Sequence, residues 1–243
     1  MTPNSFLFRE AKELLEEEFR EPETYYTLLE AVAREKTRVN EIAQYAFLEP
    51  KNTARYLRIL EDLDILKREL PIGKKAKKGI YRFRDLYFAF WFRFVAPYFE
   101  EIESGFSEGA LEDFNAGFSQ YLGGAFEEIV RQFLIELKEM GKLPFHFTKI
   151  GRWWHKGEEI DIVALNEREK KVLLVEVKWK ELRDREARDI LRDLERKAKF
   201  MNLNGWEKSY RLVAKRVEGK RDLKREGWFI WDLEDFGEPL AIH

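Results

Sequence analysis

Three charged side chains fall where strands should be most apolar. Val172–Trp179 (VLLVEVKW) reads as a strand by its length and β-branched content. Side chains alternate along a strand, so Leu173, Val175, Val177 and Trp179 share one face, and Leu174, Glu176 and Lys178 share the other. Ile160–Leu165 (IDIVAL) is a second strand, with Glu159 and Asp161 on one face at its start. The polar turn Asn166–Lys170 folds the two into a hairpin, which lets Asp161 and Glu176 converge at one end with Lys178 beside them. Charged groups in strands this apolar are costly to bury unless they are paired or hold a ligand. Two neighbouring carboxylates repel each other and favour a hard divalent cation, Mg²⁺ or Mn²⁺, as one or two ions. Such a cation activates water and neutralises charge developing on a phosphodiester, while Lys178 positions or polarises the attacking water. The same three residues can also be a salt-bridged strand pair with a structural role alone.

Composition narrows the alternatives. The 243 residues contain no cysteine and three histidines (His146, His155, His243). Thiol nucleophiles, disulfides and Cys-ligated metals are therefore excluded, and a multi-His metal site nearly so. His146 and His155 read as core or surface residues, and Trp153-Trp154 as packing. With 44% hydrophobic residues and 20 Phe the chain can build real cores, so wholesale disorder is excluded. Charge is high but balanced, 44 basic against 46 acidic residues, so any nucleic-acid surface must be local. The most apolar stretch, Tyr87–Phe99, contains Arg93 and Pro97 and is too short to span a bilayer, which takes about 20 residues. The charged N-terminus, without an apolar run, is not expected to act as a signal peptide. A cytoplasmic protein with no membrane partner is expected.

A local basic surface is present in the first half. Helices are predicted over Phe6–Phe19, from Pro22 through Val32, over Val39–Ala46 and over Asn52–Leu63. Their inward positions are Phe8, Ala11, Leu14 and Leu15, then Tyr25, Leu28, Leu29 and Val32, then Ile42 and Ala43, then Ala54, Leu57, Leu60 and Leu63. Two strand-like segments follow, Ile65–Leu70 and Gly79–Arg84, around the loop Pro71–Lys78. Helix, short helix, turn, helix and basic hairpin is the layout of a winged helix-turn-helix, in which the second helix of the pair presents its N-terminal residues to a major groove. Those residues are Lys51, Asn52 and Arg55, with Arg58 a turn further on. The hairpin carries Lys67, Arg68, Lys74, Lys75, Lys77, Lys78, Arg82 and Arg84 against Glu69 alone, an excess suited to phosphate contacts. Glu41, Glu49, Glu61 and Asp62 temper the field near the helices, and such a domain can also dock a protein partner.

Between the halves, Arg84–Phe99 is a dense aromatic helix with Phe88, Trp91, Phe92 and Val95 at helical spacing. Gly105–Gly124 is rich in Gly and Ser and reads as a linker or hinge. The expected domains are 1–105 and 106–243. A helix over Phe126–Met140 follows, with Phe126, Ile129, Val130, Phe133 and Leu137 inward. Phe145–Gly151, Ile160–Leu165 and Val172–Trp179 are then strands, Arg183–Met201 a charged helix, and Ser209–Ala214 and Gly227–Trp231 two further strands. This order predicts a mixed sheet flanked by helices, hence an α+β or α/β chain with an all-α first domain.

The text Gly157-Glu158-Glu159-Ile160-Asp161-Ile162-Val163 with Val175-Glu176-Val177-Lys178-Trp179 resembles the PD-(D/E)XK nuclease superfamily. Asp161 takes the Asp position, after Ile160 instead of Pro, and Glu176 and Lys178 form the E-x-K. The helix preceding that core often supplies a further acidic metal ligand, which implies Glu127. The whole chain from about Phe6 is similar to the C-terminal region of archaeal DEXX-box, AAA-type ATPases, in which a winged helix leads through an aromatic segment (here Phe90–Phe94) into a nuclease-like domain. Those ATPases carry a P-loop, and no such string occurs here, so ATP is not an expected cofactor.

The resemblance implies a DNA-binding protein with a Mg²⁺-dependent nuclease domain, whose metal ligands are Glu127, Asp161 and Glu176. The alternative is a non-catalytic module that binds DNA or a partner such as an AAA-type ATPase, or that acts as a homodimeric regulator.

Overall fold

A computed structural model of the chain describes residues 5–73 and 79–236. Lys74, Lys75, Lys77 and Lys78, expected on the hairpin tip, lie outside the described residues, as does His243. The chain divides into two compact units, Met1–Leu70 with Ala76–Phe118, and Pro71–Lys75 with Ser119–His243.

The first unit opens with helices α1 (Phe6–Glu18), α2 (Pro22–Ala33), α3 (Val39–Tyr45) and α4 (Pro50–Asp62). Their apolar stripes meet in one core, where Phe8, Ala11, Leu28, Leu29, Ile42, Leu57 and Leu60 are fully enclosed. Each large side chain buried there is worth about 1.5–3 kcal/mol. Leu14 and Leu63, expected inside, are 42% and 39% exposed. Leu15 already occupies the inward direction on α1, and Leu63 is the residue that caps the end of α4. At the same end of that helix, Asp64 accepts from Arg84 at 2.5 Å.

Strands β1 (Leu66–Glu69) and β2 (Ile80–Phe83) pair antiparallel, Leu66 opposite Phe83 and Glu69 opposite Ile80. Tyr81 also donates its backbone N–H to Thr37 O at 2.7 Å, tying the hairpin to the segment before α3.

The aromatic stretch is helical but irregular. α5 (Leu86–Phe90) passes into a π-helical turn at Trp91–Val95, a 3₁₀ turn at Ala96–Tyr98 and then α6 (Phe99–Glu103). Trp91, Phe92 and Val95 are buried as their spacing predicts, and Trp91 Nε1 donates to Phe8 O at 2.8 Å. Pro97 has no N–H to give the helix, so the geometry changes at this point.

The expected linker Gly105–Gly124 is instead mostly helix. α7 runs without a break over Glu108–Glu139 and contains Gly109, Gly117, Gly123 and Gly124. Gly117 has a packing reason: a Cβ there would sit 2.9 Å from Arg93 Nη2 and 3.2 Å from Phe94 Cε1. Arg93 in turn pairs with Asp113 at 2.8 Å. Close approach outweighs the roughly 1 kcal/mol that a helical glycine costs relative to alanine.

The second unit is a five-stranded mixed sheet in the order β3-β4-β5-β6-β7. Its strands are β3 (Lys149–His155), β4 (Glu158–Asn166), β5 (Lys171–Leu182), β6 (Glu207–Val217) and β7 (Phe229–Trp231). The first three pair antiparallel, while β5–β6 and β6–β7 pair parallel. Helices α8 (Asp184–Ala198) and α9 (Lys220–Arg225) make the connections that parallel neighbours require.

On one face, Phe126, Val130, Leu134 and Leu137 of α7 pack with Ile162, Leu173, Val175, Val177 and Val213. On the other, Leu194 and Ala198 of α8 pack with Val163, Leu165, Val172 and Leu174. Ile129, expected inward on α7, is 50% exposed.

The first strand of this sheet begins later than predicted, at Lys149 instead of Phe145. Phe145 and Phe147 are buried all the same, in the chain leading into it. Their apolarity marked the core and not the strand. The described residues Pro71, Ile72 and Gly73 belong to this unit, with Ile72 N donating to Arg152 O at 2.9 Å.

Candidate functional site

The β4–β5 hairpin positions the site. Its ladder runs from Asn166 opposite Lys171 to Ile162 opposite Val175 and ends there. One further step of that register sets Asp161 opposite Glu176. On its other side, β4 spends three steps from Ile160 to Val163 where β3 spends two from Trp153 to Gly151, so β4 carries an extra residue at Asp161-Ile162. A bulge of this kind re-aims a side chain. The side chain of Asp161 turns along β5, and its Oδ2 accepts the backbone N–H of Val177 at 2.8 Å.

Glu176 alternates with Val175 and Val177, so it faces α8 while its neighbours face α7. Lys178 shares its face. Its Nζ lies 2.8 Å from Glu176 Oε1 and 3.6 Å from Asp161 Oδ2. The hairpin therefore gathers the three residues that alternation and the turn predicted. The carboxylates of Asp161 and Glu176 are 5% and 7% exposed, whereas Lys178 is 38% exposed and leads outward.

Burial, followed by repulsion from Asp161, pushes the Glu176 carboxyl up despite its contacts with Lys178 and Lys197. Burial works to lower Lys178, but the two carboxylates outweigh it and the ammonium is held charged. Glu176 Oε2 is buried with no hydrogen-bond partner. A buried carboxylate oxygen without a partner is an exception in folded proteins, and it leaves one acceptor of Glu176 unused beside Asp161.

Glu127, on α7, does not join the pair. Its carboxylate contacts Arg152 Nη2. Arg152 also lies 3.6 Å from Glu159 and 3.5 Å from Asp161 Oδ1, and its side chain is 9% exposed. The strand offset explains why sequence reading missed it. With β3 at Lys149–His155, Arg152 falls opposite the bulge that carries Asp161.

Lys197 of α8 was also missed, and it lies 3.2 Å from both Glu176 and Asp193. The Asp193/Lys197 spacing of four on an amphipathic helix was its available signal. Among the described residues, no group of three or more acidic or histidine side chains is placed to hold a metal ion. Asp161 and Glu176 are the two carboxylates the hairpin brings together around Lys178, a number compatible with Mg²⁺, which commonly takes one or two protein carboxylates and completes its shell with water and substrate.

In the first unit, Lys51, Asn52, Arg55 and Arg58 of α4 are exposed, and among the described residues none makes an ion pair or side-chain hydrogen bond. The hairpin is less free. Glu69 takes Lys67 at 3.1 Å and Arg82 at 3.7 Å, and Asp64 takes Arg84. Among the described residues of α4 and the hairpin, the basic side chains without an ion pair are those of α4.

Residues 91–190 match a family described as Archaea bacterial proteins of unknown function, DUF234. The chain is also similar to an uncharacterized protein of Methanocaldococcus jannaschii, 44% identical over 235 residues. That alignment covers 96% of this chain and 52% of the relative, so the chain spans about half the length of the curated relative it matches. Among the described residues no helix is long and apolar enough to cross a membrane.

Proposed function

We propose that this chain is a DNA-binding protein whose second unit hydrolyses phosphodiesters with a divalent cation held by Asp161 and Glu176. In this reading the first unit is a winged helix-turn-helix and the second a PD-(D/E)XK nuclease fold. One observation carries the proposal: the buried, unpartnered Glu176 Oε2 stands beside a second buried carboxylate and a lysine that reaches toward solvent.

A Mg²⁺ or Mn²⁺ ion bound there supplies Lewis-acid polarisation of a phosphoryl oxygen and eases the ionisation of water. The chain's own residues do the rest. Asp161 is fixed by the Val177 N–H, so one carboxylate is oriented before any ligand arrives. Lys178 keeps its proton, and its ammonium can orient the attacking water and offset charge on the scissile phosphate as water adds to phosphorus and a P–O ester bond breaks. Lys51, Asn52, Arg55 and Arg58 hold the duplex through phosphate and base-edge contacts.

The test is cleavage of plasmid DNA by the purified chain in Mg²⁺ or Mn²⁺, together with Asp161→Ala and Glu176→Ala. Loss of nicking in both variants with the fold intact supports the site. Equal residual cutting by both removes it.

Arg152 favours a second reading. Its guanidinium engages Glu127, Glu159 and Asp161, as it would in a salt-bridged scaffold that docks DNA or a partner such as an AAA-type ATPase. That module would release no heat on titration with Mg²⁺, yet would bind DNA with a steep dependence on salt.

A further inference from the structure

Among the described residues, six that are not glycine have positive φ: Glu35, Phe47, Asp64, Lys156, Lys170 and Asn202. Phe47 is the one aromatic among them, with φ 53. It closes α3: Leu48 N donates to Ala43 O at 2.9 Å, the long bond of a helix-ending motif whose left-handed position normally takes Gly or Asn.

The ring gains nothing from packing, since Phe47 is 96% exposed. Glycine would suit this backbone better, and a polar residue would suit the water better. Neither local conformation nor core burial accounts for a phenylalanine here. A conformational cost kept at an exposed position points to contact with something outside the chain.

The surroundings indicate what that is. Phe47 stands three residues before α4, whose opening turns present Lys51, Asn52 and Arg55 unpaired to solvent. Such cations fix a duplex but take little sequence information from phosphates. An apolar group at the entrance of a major groove meets one apolar feature there, the C5-methyl of thymine.

We infer that Phe47 is a base-reading residue that packs on thymine methyl groups beside α4. This rests on the DNA-binding reading above and adds to it a preference for T-containing sites.

The test uses the full chain and two duplexes of the same A·T-rich sequence, one with every thymine replaced by deoxyuridine. Only the methyl groups differ. Wild type should bind the thymine duplex more tightly, by about fourfold for each methyl covered, from the burial of one carbon. Phe47→Gly and Phe47→Asn should bind both duplexes equally while melting no lower than wild type, because both residues suit the left-handed backbone.

Equal binding of the two duplexes by wild type overturns the inference and leaves the DNA-binding reading standing. A thymine preference that survives in both variants also overturns it. Failure of wild type to bind either duplex removes both readings together. Loss of a dimer in the variants, with no thymine preference in wild type, would make the ring a protein contact and overturn the base-reading role.

Discussion

Asp161, one step beyond the last paired rung of the β4–β5 hairpin, accepts the backbone N–H of Val177, two steps beyond it on β5, at 2.8 Å. The carboxylate thus replaces the carbonyl that would have continued the ladder. It holds the strand ends in place while Oδ1 faces Arg152.

Asp161 therefore has two separable duties. Asp161→Ala orphans a buried N–H and should cost about 1–3 kcal/mol in urea unfolding, as well as cleavage. Asp161→Asn keeps a carbonyl oxygen for Val177 and should lose most of the cleavage with much less of the stability. Equal destabilisation by the two substitutions would mean that the hydrogen bond to Val177 contributes little.

Arg152 is the group that a cation must contend with. Arg152→Met removes the charge and keeps much of the volume, leaving Glu127, Glu159 and Asp161 to repel one another. We expect a loss of about 2–3 kcal/mol, below the usual cost of breaking a fully buried pair because Glu127 and Glu159 reach solvent. Millimolar Mg²⁺ should restore part of that loss in the variant, read as a rise in Tm, and should raise wild type less. A destabilised variant that Mg²⁺ leaves unchanged would favour the scaffold reading.

Glu176 predicts a direction in pH. Its folded carboxyl is raised, first by burial and then by Asp161, so its contribution to stability is present at low pH and is lost as pH rises through the raised value. Glu176→Gln should abolish that loss and flatten the stability curve above the ordinary carboxylate range. A bound cation needs the ionised form, so Mg²⁺ affinity measured by calorimetry should rise with pH through the same window. An affinity limb centred in the ordinary glutamate range would count against this placement of Glu176.

The glycines of α7 divide into two kinds. At Gly123 and Gly124 an added Cβ meets nothing within 4 Å, so Gly→Ala at either should stabilise by about 0.4–1 kcal/mol. At Gly117 the same change drives a Cβ toward Arg93 and Phe94, and it should be neutral or destabilising in thermal melts. A gain at Gly117 equal to that at Gly124 would show that the Arg93 side chain simply moves aside.

Some of this architecture could be read directly from the residues. The alternation in Val172–Trp179 gave Glu176 and Lys178 a common face, and the polar turn after Leu165 brought Asp161 to them. Those are properties of strand geometry over a few residues, where side-chain direction has a period of two whatever the rest of the chain does. The stripes of α2 and α3 were legible for the same reason, with a helical period instead.

What lay beyond that reach depends on partners distant in sequence. The glycine-rich stretch is helix, and its Gly117 serves the close approach of Arg93 and Phe94, which are distant in sequence. β3 begins at Lys149, where it pairs with Leu165 of β4, and that offset places Arg152 beside Asp161. Lys197 reached Glu176 through the packing of α8 on the sheet. Local chemistry determined which residues face together; only the tertiary structure decided which charges they meet, because a buried carboxylate takes whichever cation the fold brings within a few ångströms.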